Sequence, residues 1–415
     1  MKKEQKRFDM NRRPDKPKWW LKVAECVAAP FYMLFNNAHT KTDKEVKKIK
    51  GPYIILSAHD SFMDFAQIAK GVMPKSTGWV VTVEEFRRGN WLMYGIGGIP
   101  KRRFTHDIVT ASHMLRYIKQ KKHTITVFPE ARFCNAGITE RIDMGVGKFC
   151  KKAGVPVVIC MINGNYLNSP VWCKHPYRRI RQEAHLSLLL TPEQIASMSA
   201  DEIQTCVEKA LQRDEYKWQV EKGYHIKCKQ RAKGLHRILY KCPVCGQEFK
   251  TNSEGVRLWC ESCGAEWHMD TLSRLKGVNT DKGFSHIPDW YNWEREQVRQ
   301  EVVNGSYQMQ GDVRVEDFYS DKVGIIPVGK AHFTHDQNGF VFDGEVDGQK
   351  FDLTKPVSSL TSVHIEYDFI KRGACFDIPT RQTSYFMFVE GCGNILTKMH
   401  FAQEEMYDFY VKNNK

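Results

Sequence analysis

Between residues 51 and 190, short apolar runs alternate with amphipathic stretches. The apolar runs are the strand candidates YIILSA, WVVTVE, HTITVFPE and VPVVICMI. The stretches FRRGNWLMYGIG, DIVTASHMLRYIKQ and VGKFCKKAG have the spacing of amphipathic helices. Nearly continuous apolar strands that alternate with helices are typical of an α/β sheet covered on both faces. This region is therefore predicted to be an α/β domain.

Two helix starts mark the end of this region. Thr191 is a candidate N-cap because Pro192 follows it, and Ser199 with Glu202 has the spacing of a capping box. The segment ADEIQTCVEKALQ that follows has an amphipathic pattern. It is predicted to be a helix that closes the domain.

From Val313 onward the pattern changes to short strand-like runs. They are VRVEDFY, GKAHFTH, GFVFDG, KFDL, TSVHIEYDFI, ACFDI and SYFMFV, with turn signals such as DQNG and DG between them. The final segment, AQEEMYDFYVK, is predicted to be a helix. Roughly seven strands capped by one helix predict a small curved β-domain that resembles the pleckstrin-homology or GRAM type.

The N-terminal segment combines basic and aromatic residues. Residues 1–22 contain nine Lys or Arg and three acids, and WWLKVAECVAAPFYMLF begins near their end. Paired Trp19 and Trp20 beside lysines favour a helix in a lipid headgroup layer, and the alternative is a terminal helix packed on the domain. Pro30 is expected to bend or break this helix, and a break would give two short pieces. The apolar part, Cys26 to Phe35, is about half of the ~20 residues that a membrane span needs. No signal peptide is readable.

Length and charge narrow the function classes. A chain of 415 residues is expected to form two or more domains. With 42% hydrophobic and 27% charged residues, the composition is globular and not disordered. The net charge of +14 favours an anionic partner: a membrane surface, nucleic acid, or a phosphorylated or CoA-like substrate.

Four of the thirteen cysteines have metal-ligand spacing. Cys242 and Cys245 form one CxxC pair, Cys260 and Cys263 form another, and a glycine follows each pair. Four thiolates in two tight turns predict a closed tetrahedral Zn²⁺ site, which is structural because it has no open position. The flanking basic residues permit contact with nucleic acid or anionic lipid, but a staple for a small fold is favoured.

The nine remaining cysteines are scattered singly, which fits a reducing cytosolic compartment. They are Cys26, Cys134, Cys150, Cys160, Cys173, Cys206, Cys228, Cys375 and Cys392.

The stretch SAHDSFMDF places His59 and Asp64 five residues apart, directly after the apolar run YIIL. A carboxylate at this spacing can hold one ring nitrogen of the imidazole as N–H, and the other nitrogen is then free to accept a proton. The pair also follows a strand, where α/β sheets place their sites. The alternative interpretation is a hydrogen-bonded pair within a loop.

Three further motifs follow in order: GGIPKRRF at 97–104, VFPEARF at 127–133 and GVPVV at 154–158. With HDSFMD, they resemble the motif blocks of the glycerolipid acyltransferase family, which includes the 1-acylglycerol-3-phosphate acyltransferases. The resemblance covers roughly residues 50 to 210. It implies an α/β acyltransferase domain with a mixed sheet covered by helices.

The resemblance also implies roles for individual residues. His59 would be the general base and Asp64 its orienting partner. The implied substrate-binding residues are Arg103 for the acceptor phosphate, Lys101 and Arg132 beside it, Glu130 in the acceptor site, and Ser61 inside the first block. The alternatives are a solvated basic turn for KRR and a strand-end cap for Glu130.

Two blocks depart from the family pattern. Ala58 stands where the family usually has Asn before the histidine. In FPEAR, Ala131 replaces the usual Gly, and Arg132 comes one residue early. These departures concern the acceptor site more than the acyl-transfer step.

The predicted organisation has five parts. They are N-terminal interfacial helices (1–48), the acyltransferase domain (49–225), a zinc ribbon (226–270), a helical linker (271–310) and a C-terminal β-domain (311–415). The predicted enzyme moves a fatty acyl group from CoA or acyl carrier protein to a glycerol-phosphate lipid, with 1-acylglycerol-3-phosphate as acceptor, in phospholipid biosynthesis. It is expected in the cytoplasm, on the inner face of a membrane with anionic lipids. The alternative is a non-catalytic zinc-ribbon scaffold that binds membrane or, less favoured, nucleic acid.

Overall fold

The computed structural model describes residues 7–105, 107–173, 178–320, 322–380, 383–391 and 394–413. In chain order, these residues form a seven-stranded sheet, a four-stranded sheet and a second seven-stranded sheet. Cys392 lies outside the described residues.

The first sheet is mixed. Its strands are β1 (Ala38–Thr42), β2 (Ile54–Ser57), β3 (Gly78–Thr82), β4 (Gly98–Lys101), β5 (Ile125–Val127), β6 (Val157–Asn163) and β7 (Gln182–Leu190). Their order across the sheet is β1-β7-β6-β2-β5-β3-β4. Neighbouring strands are parallel except β6 and β7, which are antiparallel. The predicted mixed α/β sheet is confirmed.

Helices surround this sheet. They are α1 (Trp19–Phe35), α2 (Lys44–Lys48), α3 (Met63–Val72), α4 (Asn90–Gly95), α5 (Ile108–Lys119), α6 (Val146–Ala153), α7 (Asn165–Asn168), α8 (Pro192–Ser197), α9 (Ala200–Ala210) and α10 (Glu215–Lys222). Helices α8 and α9 begin at complete capping boxes, in which the hydroxyls of Thr191 and Ser199 accept the third backbone N–H of each helix.

The apolar run of the central strand β2 is continuous because both of its faces are buried. Ile55 belongs to an apolar cluster that contains Ile68 of α3. Its neighbours Ile54 and Leu56 belong to a different cluster, which contains Ile203 of α9. Because successive side chains of a strand point to opposite faces, helices cover both faces of the sheet.

The N-terminal region differs from its predictions in two ways. Pro30 lies inside α1, which is continuous, so the expectation of a break in this helix is wrong. Buried Ala29 and Met33 pack against the domain, and this packing offsets the backbone hydrogen bond that proline removes. In addition, β1 pairs with β7, so the sheet begins at Ala38 and not after residue 48.

The four-stranded sheet carries the cysteine pairs. Its strands are β8 (Thr251–Glu254), β9 (Arg257–Cys260), β10 (Glu266–Met269) and β11 (Leu275–Gly277), all antiparallel in the order β11-β10-β9-β8. Helix α11 (Ile287–Val303) follows, within the predicted helical linker. Strand β11 extends the ribbon beyond residue 270.

The last sheet is antiparallel throughout. Its strands are β12 (Met309–Ser320), β13 (Gly324–Asp336), β14 (Gly339–Val346), β15 (Gln349–Pro356), β16 (His364–Glu366), β17 (Cys375–Pro379) and β18 (Ser384–Val389). Their order is β15-β14-β13-β12-β18-β17-β16, and helix α12 (Ile395–Asn413) follows. Seven strands and a terminal helix agree with the predicted β-domain, whose pleckstrin-homology or GRAM type stays a prediction.

Shared apolar cores join these parts. One cluster contains Trp172 of the first domain, Trp267 of the ribbon, Trp290 of α11 and Met399 of α12. The C-terminal sheet also meets the first domain directly, because Phe318 belongs to the same apolar cluster as residues of β2 and β3. The β-domain therefore packs on the first domain.

Candidate active site

His59 and Asp64 lie where strand β2 ends and helix α3 begins. Nδ1 of His59 is 2.8 Å from Oδ2 of Asp64. An ionised carboxylate can only accept hydrogen bonds, so this contact places the ring proton on Nδ1. Nε2 is then left as the proton acceptor, which is the arrangement that a general base requires.

Further hydrogen bonds fix the carboxylate of Asp64. Its Oδ2 accepts the backbone N–H groups of Asp60 and Ser61, at 2.7 and 3.0 Å. Its Oδ1 accepts Nδ2 of Asn165 at 2.6 Å. Because the carboxylate is buried and held on both oxygens, it can position the imidazole with little freedom to rotate.

Aromatic side chains hold the ring of His59. Phe128 stacks on it with a centroid separation of 3.9 Å, and Phe133 contacts it at 4.2 Å. The side chain of His59 remains 14% exposed. The exposed part faces a cavity.

That cavity has a volume of about 820 Å³. Side chains from α1, the first sheet and the C-terminal sheet line it. Its apolar lining includes Ala28, Ala29, Phe65, Trp79 and Met93, and its polar lining includes Lys101, Arg103, Arg132, His364 and Glu366. An apolar cavity with a few polar groups is typical of a site for an amphipathic ligand.

Arg103 lines the cavity beside two carboxylates. Its Nη1 lies 3.7 Å from Glu84 and 3.8 Å from Asp377, farther than a charge-assisted hydrogen bond. Within the described residues, its Nε and Nη1 have no hydrogen-bond partner. Its side chain keeps 12% exposure and lines the cavity, so the accessible part of the guanidinium can pair with an anion there.

Glu130 lies near the cavity but is not among the described residues that line it. Its Oε1 is 3.4 Å from Nη2 of Arg213, and the same guanidinium is paired with Asp60. Burial raises the pKa of Glu130 to about 8 and the pKa of Asp60 to about 6, because one arginine only partly offsets the burial of two carboxylates.

Arg132 points to the C-terminal domain. Its Nη2 lies 2.9 Å from Oε1 of Glu404 and 2.6 Å from Oγ of Ser362, and its Nη1 lies 2.8 Å from His400. The preceding Ala131 has a φ of 55°, in the left-handed region that favours the glycine of the family motif. Atoms of Arg132 still line the cavity.

The remaining predicted residues also lie at the cavity. Lys101 pairs with Asp143 at 3.0 Å. Oγ of Ser61 accepts the backbone N–H of Met63 at the start of α3. The structure therefore gathers His59, Ser61, Lys101, Arg103 and Arg132 around one cavity, with Asp64 behind the histidine.

Several neighbouring residues were not predicted. Asn165 has a readable signal, because it follows β6 at the edge of the sheet where β2 ends. Asp60 lies within the HDSFMD motif itself. Arg213, His364 and Asp377 are distant in sequence, and no local pattern connects them with His59.

One side of helix α1 is apolar and exposed. Trp19, Val23, Val27, Phe31 and Leu34 recur at helical spacing, with exposed fractions between 55% and 76%. Ala28 and Ala29 of the same helix line the cavity. Among the residues that the structure describes, no helix has the length and hydropathy of a membrane span.

The four predicted zinc ligands form a separate cluster. Sγ of Cys242 is 3.7 Å from Sγ of Cys263, and Sγ of Cys245 is 3.8 Å from Sγ of Cys260. Thiolates about 2.3 Å from one tetrahedral zinc would be separated by about 3.8 Å, so the cluster fits Zn²⁺. Gly246 and Gly264 have φ values of 75° and 73°, as the two knuckles require. None of the cysteines in the described part of the chain forms a disulfide.

Comparison with known proteins bears on the first domain. The sequence model of the acyltransferase family matches residues 38–163. No curated protein matches the chain significantly. Among four matching chains of solved structure is the 1-acyl-sn-glycerophosphate acyltransferase PlsC from Thermotoga maritima, at 19% identity and a TM-score of 0.37. That match covers 46% of this chain and 77% of the other. Residues 38–163 are therefore similar to the acyltransferase family.

Proposed function

We propose that this protein transfers a fatty acyl group from a CoA or acyl carrier protein thioester to a hydroxyl of a glycerol-phosphate lipid. The proposed acceptor is 1-acylglycerol-3-phosphate, in phospholipid biosynthesis. The observation that carries this proposal is the contact between His59 and Asp64 at the edge of a cavity that Arg103 also lines.

The chemistry follows from the position of His59. Its Nε2 removes the proton of the acceptor hydroxyl while that oxygen attacks the thioester carbonyl. Asp64 stabilises the imidazolium that forms. The new C–O bond then replaces the C–S bond, and the imidazolium returns its proton to the departing thiolate. The reaction therefore needs no covalent acyl-enzyme.

Different parts of the cavity suit different parts of the substrates. Its apolar lining suits an acyl chain, and Arg103 suits the acceptor phosphate. Lys101, Ser61 and Arg132 add polar groups to the same lining. Glu130 contributes to the acceptor site indirectly, through Arg213 and Asp60, which adjoins His59.

We also propose that the protein binds the inner face of a membrane containing anionic lipids. The exposed apolar stripe of α1 supports this, since its other side lines the cavity and would give acyl chains a short route from the bilayer. The basic residues around Trp19 would add attraction to anionic headgroups.

The accessory parts have proposed roles as well. Cys242, Cys245, Cys260 and Cys263 would hold a structural Zn²⁺. The β-domain is proposed to be of the pleckstrin-homology or GRAM type, supported by its seven strands and terminal helix.

An acyl-transfer assay tests the proposed reaction. Purified full-length protein receives labelled acyl-CoA or acyl carrier protein, with glycerol-3-phosphate, 1-acylglycerol-3-phosphate or a neutral alcohol as acceptor. His59→Ala should abolish transfer, while His225→Ala, at an exposed histidine that contacts Thr271, should not. A wild-type protein that transfers to none of these acceptors would support the scaffold alternative instead.

A vesicle experiment tests the membrane proposal. Val27→Asp places a charge in the exposed stripe of α1 and should weaken binding to anionic vesicles about tenfold or more. Val278→Asp is the matched control, because Val278 is 56% exposed and Val27 is 57% exposed. Equal vesicle binding by both variants would contradict a membrane role for α1.

A further inference from the structure

The C-terminal β-domain forms part of the cavity wall. His364 and Glu366, both on strand β16, line the same cavity as His59 and Arg103. The acyltransferase family match ends well before these residues. The β-domain therefore adds polar groups to the cavity from outside the matched region.

Asp377 connects this wall with Arg103. Strands β16 and β17 pair so that His364 lies opposite Asp377, and Nδ1 of the histidine is 2.7 Å from Oδ1 of the aspartate. The other carboxylate oxygen is 3.8 Å from Nη1 of Arg103. One buried carboxylate thus lies close to both Arg103 and His364.

The outer nitrogen of His364, Nε2, is not hydrogen-bonded to the neighbouring carboxylate of Glu366. Its Nε2 is 3.6 Å from Oε1 of Glu366, beyond hydrogen-bond distance. Because Nδ1 lies beside Asp377, Nε2 is the nitrogen that remains for a ligand, and it donates a hydrogen bond to an anion when the ring is protonated. Arg103 lines the same cavity.

The wall is fixed to the catalytic domain close to these residues. Ser362, two positions before His364, accepts a hydrogen bond from Nη2 of Arg132. Glu404 of α12 pairs with the same guanidinium, and the side chains of Arg132 and Glu404 are almost fully buried. This contact fixes the start of β16 beside the acyltransferase domain.

We propose that the C-terminal β-domain completes the acceptor site, with His364 binding the acceptor phosphate beside Arg103 and Asp377 positioning both side chains. This inference rests on the proposed function. A phosphate between the guanidinium of Arg103 and the imidazolium form of His364, whose Nδ1–H faces Asp377 and whose Nε2–H donates to the phosphate, gains hydrogen bonds from two domains. Glu366 lies next to the phosphate position and has the same negative sign of charge, so it weakens phosphate binding.

Acceptor kinetics test this inference in the full-length protein. The acceptors are 1-acylglycerol-3-phosphate and the corresponding monoacylglycerol, which has no phosphate. His364→Asn and Asp377→Asn should each raise KM for the phosphate acceptor about tenfold, with kcat changed less than about twofold. Neither should alter KM for the acyl donor or kcat/KM for monoacylglycerol.

Two further variants separate binding from loss of structure. His364→Gln keeps a donor near the position of Nε2 and should recover part of the affinity. Glu366→Gln should lower KM for the phosphate acceptor, because it removes a negative charge. The matched control is His332→Asn, since His332 lies 2.7 Å from Asp312 in an exposed pair of the same sheet.

The outcomes distinguish this inference from the proposed function. Unchanged KM values in His364→Asn and Glu366→Gln, or equal losses with both acceptors, overturn the composite site alone. Calorimetric binding of glycerol-3-phosphate provides a measurement without turnover. If the wild type binds it without acyl transfer, and His364→Asn weakens that binding, the composite site stands and the proposed function fails. A wild type that neither binds nor transfers overturns both.

Discussion

Oδ2 of Asp64 lies 2.8 Å from Nδ1 of His59, and the same oxygen accepts two backbone N–H groups of the intervening loop. The loop that carries the histidine is therefore folded around the carboxylate that orients it. Asn165 holds the other carboxylate oxygen from a neighbouring strand end. The imidazole is positioned from both its own loop and the sheet.

Replacing this carboxylate should impair catalysis far more than acceptor binding. In Asp64→Asn, the neutral amide no longer stabilises the imidazolium, so kcat should fall about 10²- to 10⁴-fold with little change in acceptor KM. Steady-state kinetics measure the effect. Asp43→Asn is the control, because Asp43 forms a 2.8 Å pair with His185 in a more exposed position of the same domain. A kcat within about threefold of the wild type would contradict the orienting role.

The buried carboxylates near Arg213 predict a pH effect on stability. Burial raises the pKa of Glu130 from 4.5 to about 8, so between these values the folded chain retains a proton that the unfolded chain releases. Its contribution to the free energy of unfolding is therefore present below about pH 4.5 and is lost as pH rises to about 8, at up to about 1.4 kcal/mol per pH unit.

Glu130→Gln tests this sign. The neutral amide resembles the protonated acid, so the variant should be close to the wild type at pH 4 and gain stability relative to it at pH 9. Urea unfolding at the two pH values gives the comparison. A stability difference that does not change with pH would show that Glu130 does not titrate in this range.

Local patterns allowed much of the first domain to be predicted. The apolar runs that became β2, β3, β5 and β6 are buried strands, and the capping residues Thr191 and Ser199 start helices as predicted. Strands β1 and β7 were missed because AHTKT is short and polar and because β7 alternates between buried and partly exposed positions. Their pairing depends on contacts distant in sequence.

In the candidate site too, contacts within one motif could be predicted from the sequence, and contacts between distant segments could not. The spacing of His59 and Asp64 could be read from one motif, since a turn of the chain brings them together. The partners of Arg103 and Arg132 could not, because Asp377 and Glu404 belong to a domain whose docking leaves no local signal. Arg132, which comes one residue earlier than in the family pattern, contacts that domain.

The pair of Arg132 and Glu404 should contribute strongly to stability. Burial raises the pKa of Glu404, but His400, Arg295 and Arg132 outweigh it and hold that pKa well below its usual range. Arg132→Met removes one buried partner and should cost about 3–5 kcal/mol in unfolding free energy. Adding Glu404→Gln should restore part of this loss, as expected for coupled residues.

An exposed pair provides the comparison for that measurement. Arg141 contacts Asp408 of α12 at 2.7 Å, and both side chains remain partly exposed. Arg141→Met should cost less than about 1 kcal/mol because solvent screens the charges. If chemical unfolding gives similar losses for Arg132→Met and Arg141→Met, the buried pair does not anchor the two domains.

Removal of zinc should unfold the ribbon and weaken the core that it shares with its neighbours. Cys242 and Cys260 are buried in the apolar cluster that also holds Trp267 and Trp290, whose rings lie 4.9 Å apart. Without a metal, four clustered thiols lose the bonds that hold the two knuckles together. The purified protein should contain one zinc per chain, and chelation should lower its thermal midpoint and shift tryptophan emission to longer wavelength. Cys260→Ser should reproduce both changes, while Cys206→Ser, outside the cluster, should retain zinc. A metal-free chain with unchanged melting and emission would mean that the four cysteines do not form a structural zinc site.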